Sequence, residues 1–321
     1  MRPNDMLRWV KAYLGIKFKG VGYSIDIIDG SCTVSCPSCA VGSIGRRPKA
    51  VMSIEFYRQL LDKAQREGKV RSVHLYAYSE PCTHPDLHLF VEEGRKRNIP
   101  HVVSTVLQHT RCDFAKVIEA RPREFRISFP GWKHMNYYQE GARPEVFDKK
   151  FAYLMTLPRY PETVWTLGFH VYKDTIDEVP RARALAEKYG LKFVALPAIY
   201  MANDKNARKD YSQADKDLIA RLPEKMEDEV EKYIHSDFCF CYKQITISAT
   251  GMVWLCQLTY LDEFQIVPFM DVPVKTILKM IRNHPYCDEC KAAKGNVYQE
   301  KYDYFFLPGD PVVKADKGRM R

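Results

Sequence analysis

Apolar positions over the first two hundred residues fall into two alternating rhythms. Six runs are rich in Val, Ile, Tyr and Phe: "YSIDIID" (23–29), "SVHLYAY" (72–78), "HVVSTVL" (101–107), "FRISF" (125–129), "WTLGFHVY" (165–172) and "KFVALPAIYM" (192–201). Several are apolar without strict alternation, which predicts strands of a parallel sheet covered on both faces. Between them the period lengthens to that of a helix. In "SIEFYRQLLDKAQREG" Ser53 is placed to cap the N-terminus, Glu55 lies in the first turn, and Ile54, Tyr57, Leu61 and Ala64 form one apolar face. Gly68 then stops the helix. "DTIDEVPRARALAEKYG" repeats the design, with Thr175 or Asp177 as cap and Gly190 as stop. Six βα units imply right-handed crossovers and an α/β fold. They are too few to close an eight-stranded barrel, so a partial (β/α)6 barrel is expected, open on one side.

The rhythm changes after Met201. "NDKNARKDYSQADKDLIARLPEKMEDEVEKYIHS" is charged and poor in β-formers, and reads as a helical connector. "KQITISATGMVWLCQ" predicts a hairpin turning near Thr250-Gly251, followed by the helix "VKTILKMIRNH". The expected organisation is a barrel over 1–202, a connector over 203–236, and a small cysteine-bearing domain with its tail over 237–321.

Composition narrows the classes. No run of about 18 apolar residues exists, and the N-terminal "MRPNDMLRWVKAYLG" lacks the apolar core of a secretory signal, so a cytoplasmic protein is expected. In that reducing setting the ten cysteines read as metal ligands or catalytic thiols ahead of disulfides. Cys82 and Cys112 stand apart and read as packing residues. The net charge of +9 suits an anionic partner or a generally basic surface.

"SCTVSCPSCA" places Cys32, Cys36 and Cys39 in one loop directly after the first strand, at the end of a barrel where such folds put their chemistry. Zinc in a structural site takes four protein ligands, whereas three thiolates can hold three irons of a 4Fe-4S cube and leave the fourth open. This C-x3-C-x2-C after the first strand of a βα array resembles the signature of the radical S-adenosylmethionine (SAM) enzymes. The resemblance implies that the amino and carboxylate groups of SAM chelate the fourth iron. It implies, too, that one electron cleaves SAM to methionine and a 5′-deoxyadenosyl radical, which removes hydrogen from a substrate. The aromatic residue that the family carries before the third cysteine is Ser38 here.

The same resemblance assigns a SAM site. Tyr78-Ser79-Glu80-Pro81 takes the place of the family's Gly-Gly-Glu-Pro-like motif for the SAM amino group, and "THPDL" follows it as in the family. Ser104 and Ser128 match strand-end positions, and Arg143 matches a downstream arginine that approaches the SAM carboxylate or ribose. Each serine alone could equally satisfy a loop amide.

A second group comprises Cys241, Cys256, Cys287 and Cys290, four thiolates able to bind zinc or all four irons of a cube. The arrangement resembles the twitch domain, the short relative of the SPASM domain, which implies an auxiliary 4Fe-4S cluster. Cys239 reads as a bystander facing the other side of its strand. Near the expected strand ends lie His109, Trp132, Lys133, His170, Tyr172, Lys173 and Tyr200, with His170 and Tyr172 the catalytic candidates. The resemblance implies a one-electron reductant such as flavodoxin or ferredoxin as partner. The expected substrate is a small polar molecule, a sugar, aminocyclitol or nucleotide. A ribosomal peptide or protein residue is the alternative within the class, and a basic zinc-binding nucleic-acid protein the alternative outside it.

Overall fold

The computed structural model describes residues 20–45, 48–198, 200, 211–222 and 239–292. The described residues open with β1 (Val21–Ile25), β2 (Ile28–Asp29), helix α1 (Ala40–Ile44), β3 (Ala50–Val51), α2 (Ile54–Glu67) and β4 (Val70–His74). Then follow α3 (Leu87–Lys96), β5 (His101–Thr105), α4 (Phe114–Glu119), β6 (Glu124–Phe129) and the single turn α5 (Met135–Tyr138). After them come α6 (Pro144–Met155), β7 (Val164–Val171), α7 (Val179–Lys188) and β8 (Lys192–Pro197). The last described elements are α8 (Gln213–Ile219), β9 (Gln244–Ile247), β10 (Met252–Trp254), β11 (Gln265–Pro268), α9 (Val274–Arg282) and α10 (Pro285–Ala292).

Among the described residues nine strands form one sheet in the order β11-β10-β9-β1-β4-β5-β6-β7-β8. β1 and β4 through β8 are parallel neighbours in chain order, the α/β arrangement that six alternating units require. The C-terminal hairpin joins this sheet. β9 runs parallel to β1, from Gly22 opposite Gln244 to Ile25 opposite Ile247, and β10 then pairs antiparallel with β9 and with β11. The turn between β9 and β10 passes through Gly251 at φ 84°, a left-handed conformation that glycine adopts without strain. The expected domain boundaries near 202 and 236 lie outside the described residues.

Local chemistry accounts for the elements. Ser53 caps α2 by accepting from Phe56 N at 3.1 Å, and Tyr57, Leu60, Leu61 and Ala64 bury the inner face of that helix. Alternation along β6 and β7 sorts residues to two faces. Phe125, Ile127 and Phe129 go to one, where Phe125 meets Phe114 and Trp165, and Phe129 stacks on Phe147 of α6. Burial of each such ring is worth about 1.5–3 kcal/mol. The opposite face of β4, β6 and β7 carries His74, Arg126, Ser128, Thr166 and His170.

Several strands stop earlier than their apolar runs, and two of them show why. The run 72–78 leaves the sheet after His74 because the N–H groups of Ala77, Tyr78 and Ser79 turn to the Asp26 carboxylate at 2.8–3.1 Å. The run 23–29 divides at Asp26-Ile27, and β2 pairs with β3 in a separate two-stranded sheet. Among the described residues no helix is long and apolar enough to cross a membrane.

Candidate cluster and cofactor site

The three-cysteine loop leaves β2 and closes on α1. Cys39 N donates to Cys36 O at 2.9 Å, and Ser35 N donates to Glu140 O at 2.9 Å, tying the loop to the segment before α6. Helix α1 crosses so close to the loop that a Cβ on Gly42 would lie 2.0 Å from the Cys36 carbonyl oxygen. Burial pushes the Cys36 thiol well up, and its neighbours Cys32 and Cys39 add to the effect, as does Glu80. The Cys39 thiol is raised by burial too, against N–H groups that favour its charged form.

Glu80 reaches the same place from the end of β4. It is buried, with its carboxylate accepting from Cys82 N at 3.1 Å and Val106 N at 2.8 Å. Burial holds its carboxyl above the usual range despite these donors. A positive group brought alongside would offset that cost. Ser79 offers Asp26 only its N–H, and Tyr78 points elsewhere. The Tyr78 hydroxyl donates to the carbonyls of Cys256 and Thr259 at 2.6 and 2.5 Å, and its ring packs on Trp254 and Tyr260.

The remaining candidates distribute over the polar face. Ser128 Oγ and His170 Nε2 share a hydrogen bond of 3.0 Å, and burial, with Arg126 nearby, brings the His170 pKa down to about 4. Arg126 is itself held by Glu124 and by the Tyr76 hydroxyl at 2.7 Å. Ser104 lies on β5 opposite Arg126. Tyr172 stacks on Tyr138, with ring centroids 3.5 Å apart, and its hydroxyl lies 3.4 Å from Ser38 Oγ. An aromatic ring from the end of β7 thus meets the serine that stands where the family has its aromatic residue. Arg143 precedes α6, exposed and 3.8 Å from Glu145, three residues beyond the Glu140–Ser35 bond.

A second cavity is lined by Cys239, Tyr242, Leu255, Cys256, Tyr286, Cys287, Cys290 and Lys291. The Cys287 thiol is pushed up to about 12 by burial, then by Cys256 and Cys239. The side chain of Cys241 lies outside those described. Cys239 was expected to face away on the two-residue period of a strand. Residues Phe240–Lys243 instead form a 3-10 turn, where that period does not apply, and Cys239 joins the cavity.

Among the described residues no three His, Cys, Asp or Glu side chains converge on a point that one ion would occupy. A cube asks for another geometry, because each thiolate reaches a separate iron. Crowded, buried thiols that resist ionisation fit such a group, since metal cations replace their protons and cancel their mutual repulsion.

No protein-family model matches the chain, and no curated protein sequence does. Solved structures do. The chain aligns with native anSMEcpe with bound AdoMet at a TM-score of 0.55 and 16% identity, covering 89% of this chain and 96% of that one. It aligns with SuiB of Streptococcus suis bound to S-adenosylmethionine at a TM-score of 0.56 and 12% identity, covering 90% and 72%. The chain shares the fold of these S-adenosylmethionine-bound structures. In this fold Glu80 lies within electrostatic range of Cys36, and Tyr172 at the end of β7 reaches Ser38 of the same loop. Sequence reasoning passed over Asp26, although an acid inside the apolar run "YSIDIID" signals a buried acceptor. The Tyr172–Ser38 contact left no local signal, because its partners are 134 residues apart.

Proposed function

We propose that the chain is a radical SAM enzyme in which Cys32, Cys36 and Cys39 hold a 4Fe-4S cluster and SAM takes the open iron. The observation that supports this most directly is the gathering of Cys32, Cys39 and Glu80 around the Cys36 thiol, each adding to the rise that burial gives it, in the loop after β2. When bound and supplied with one electron, the pair would furnish a 5′-deoxyadenosyl radical able to take a hydrogen atom from a substrate. A flavodoxin or ferredoxin would serve as the electron donor.

The chain's own groups have separate tasks in this reading. Glu80 and the backbone after Tyr78 face the SAM ammonium, while Asp26 fixes that backbone through Ala77, Tyr78 and Ser79. Ser104, Ser128 and Arg143 attend the rest of the cofactor. His170, neutral at pH 7, can take a substrate proton relayed through the Ser128 hydroxyl bonded to its Nε2, and Tyr172 lies beside the cluster loop. Cys256, Cys287 and Cys290, with Cys239 or Cys241 as fourth ligand, would hold an auxiliary 4Fe-4S cluster that passes electrons.

The sheet face bearing His74, Arg126, Ser128, Thr166 and His170 suits a small polar substrate. A peptide is the second reading, because structures of anSMEcpe and SuiB include peptide complexes. The test is anaerobic purification with iron and sulfide counting, for which two cubes require about eight irons per chain. Dithionite and SAM should then give 5′-deoxyadenosine, and Cys36→Ala should abolish it. A colourless preparation holding zinc alone would overturn the proposal and favour the zinc-binding nucleic-acid alternative.

A further inference from the structure

Two cysteines that the proposed chemistry does not use lie side by side. Cys82 follows Glu80 in the loop after β4 and is fully buried; Cys112 sits in the β5–α4 loop, half-buried between the exposed Arg111 and Asp113. The Cys82 carbonyl accepts from both Arg111 N at 2.8 Å and Cys112 N at 3.0 Å. With a hydrogen bond between the two backbones, ordinary bond lengths keep their Cα atoms within about 7 Å. A disulfide spans about 4.4–6.8 Å between Cα atoms. Cys112 lies close enough to raise the Cys82 thiol, and both cysteines are free. Lys150 of α6, bonded to Thr110 Oγ1 at 2.8 Å and to the Gln108 carbonyl, lies within electrostatic range of both sulfurs.

We propose that Cys82 and Cys112 are a redox-active dithiol, closed to a disulfide by exchange with a low-molecular-weight disulfide of the glutathione type. In the first step the Cys112 thiolate attacks one sulfur of the oxidant, forming a mixed disulfide and releasing one thiol. In the second the Cys82 thiolate attacks the Cys112 sulfur, forming the internal disulfide and releasing the second thiol. Two protons leave the protein and one disulfide of the oxidant is reduced, so the step balances without any metal. Cys112 meets the oxidant because it is the accessible member, and Cys82 resolves because it is in contact and shielded. Closure joins the loop that carries Glu80 to the loop after β5. It also removes the Cys82 thiol, whose nearness lowers the Glu80 carboxyl against the effect of burial.

The inference is independent of the cluster assignment and has its own readout. Intact holoenzyme is equilibrated anaerobically with glutathione disulfide, quenched with acid and an alkylating reagent, digested without reduction and mapped by mass spectrometry. The wild type should yield a linked peptide pair containing Cys82 and Cys112, reversed by dithiothreitol. Cys82→Ser should stop at a glutathione adduct on Cys112, and Cys112→Ser should leave Cys82 at least tenfold less modified. A wild type that accumulates the Cys112 adduct with no linked pair, or in which both thiols stay unoxidised, overturns the proposal. The wild-type map decides by itself if a variant fails to fold.

Discussion

The tight crossing of α1 over the cysteine loop makes Gly42→Ala a sharp perturbation. The added Cβ would stand 2.0 Å from Cys36 O, 2.5 Å from Cys36 C and 2.9 Å from Ser35 C, all atoms of another backbone segment. Relaxed carbon–oxygen contacts start near 3.3 Å, so helix and loop must separate by more than about 1 Å. Overpacking of this kind costs about 1–3 kcal/mol, and the helix preference for alanine over glycine returns up to about 1 kcal/mol. The net loss is about 1–2 kcal/mol, which at about 2.1 cal/mol/K per residue over 321 residues is a fall in Tm of about 1.5–3 °C. Metal–ligand distances tolerate about 0.2 Å, so a displacement several times larger should cost most of the iron at the first cluster. Calorimetry on cluster-free protein and iron counting on anaerobic protein measure the two effects separately. Gly68→Ala is the control, with extended φ and open space around its Cβ. A Gly42→Ala protein with unchanged Tm and full iron would refute the reasoning.

The other predictions concern the supports of the site. Asp26→Ala strands N–H donors of Ala77, Tyr78 and Ser79, each worth about 1–3 kcal/mol when buried without a partner; it should lower Tm and weaken SAM binding together in a dialysis assay. Tyr78→Phe removes the hydroxyl that bonds the carbonyls of Cys256 and Thr259, and should cost about 1–3 kcal/mol and speed amide exchange across β10. His74, His101 and His170 are held by burial at pKa values of about 3, 4 and 4, below the usual 6.5. Because the unfolded chain takes these protons first, their contribution to stability is complete above pH 6.5 and drains away as the pH falls toward 4, with a limiting slope of about 4 kcal/mol per pH unit. Urea unfolding of cluster-free protein between neutral and mildly acidic pH checks this, and a flat profile would refute it. His170→Ala should lower product formed per 5′-deoxyadenosine released, and an unchanged ratio would remove His170 as the base.

Local chemistry was legible wherever a short segment decides its own conformation. The Ser53 cap, the apolar face of α2 and the turn at Gly251 need only their near neighbours, and the structure shows all three. The spacing of Cys32, Cys36 and Cys39 after β1 was legible for the same reason. What escaped depends on partners far along the chain. The early end of β4 is set by a carboxylate 51 residues upstream, through its bond to Ala77. The seating of β9 on β1 joins segments more than two hundred residues apart, with no periodicity to announce it. Cys239 escaped through the wrong local period, and the Cys82–Cys112 contact because two isolated cysteines carry no spacing to read.

The seam between β9 and β1 has a consequence for how this protein can be divided. β1 has a hydrogen-bonded neighbour on both sides, β4 and β9, and it leads through β2 into the three-cysteine loop. Cutting the chain ahead of β9 would leave a bare parallel edge of buried residues, the kind of surface that recruits strands from other molecules. The two cysteine centres therefore cannot be produced as separable halves. A transplanted C-terminal module would have to bring a strand in matching register before it could bring its thiols.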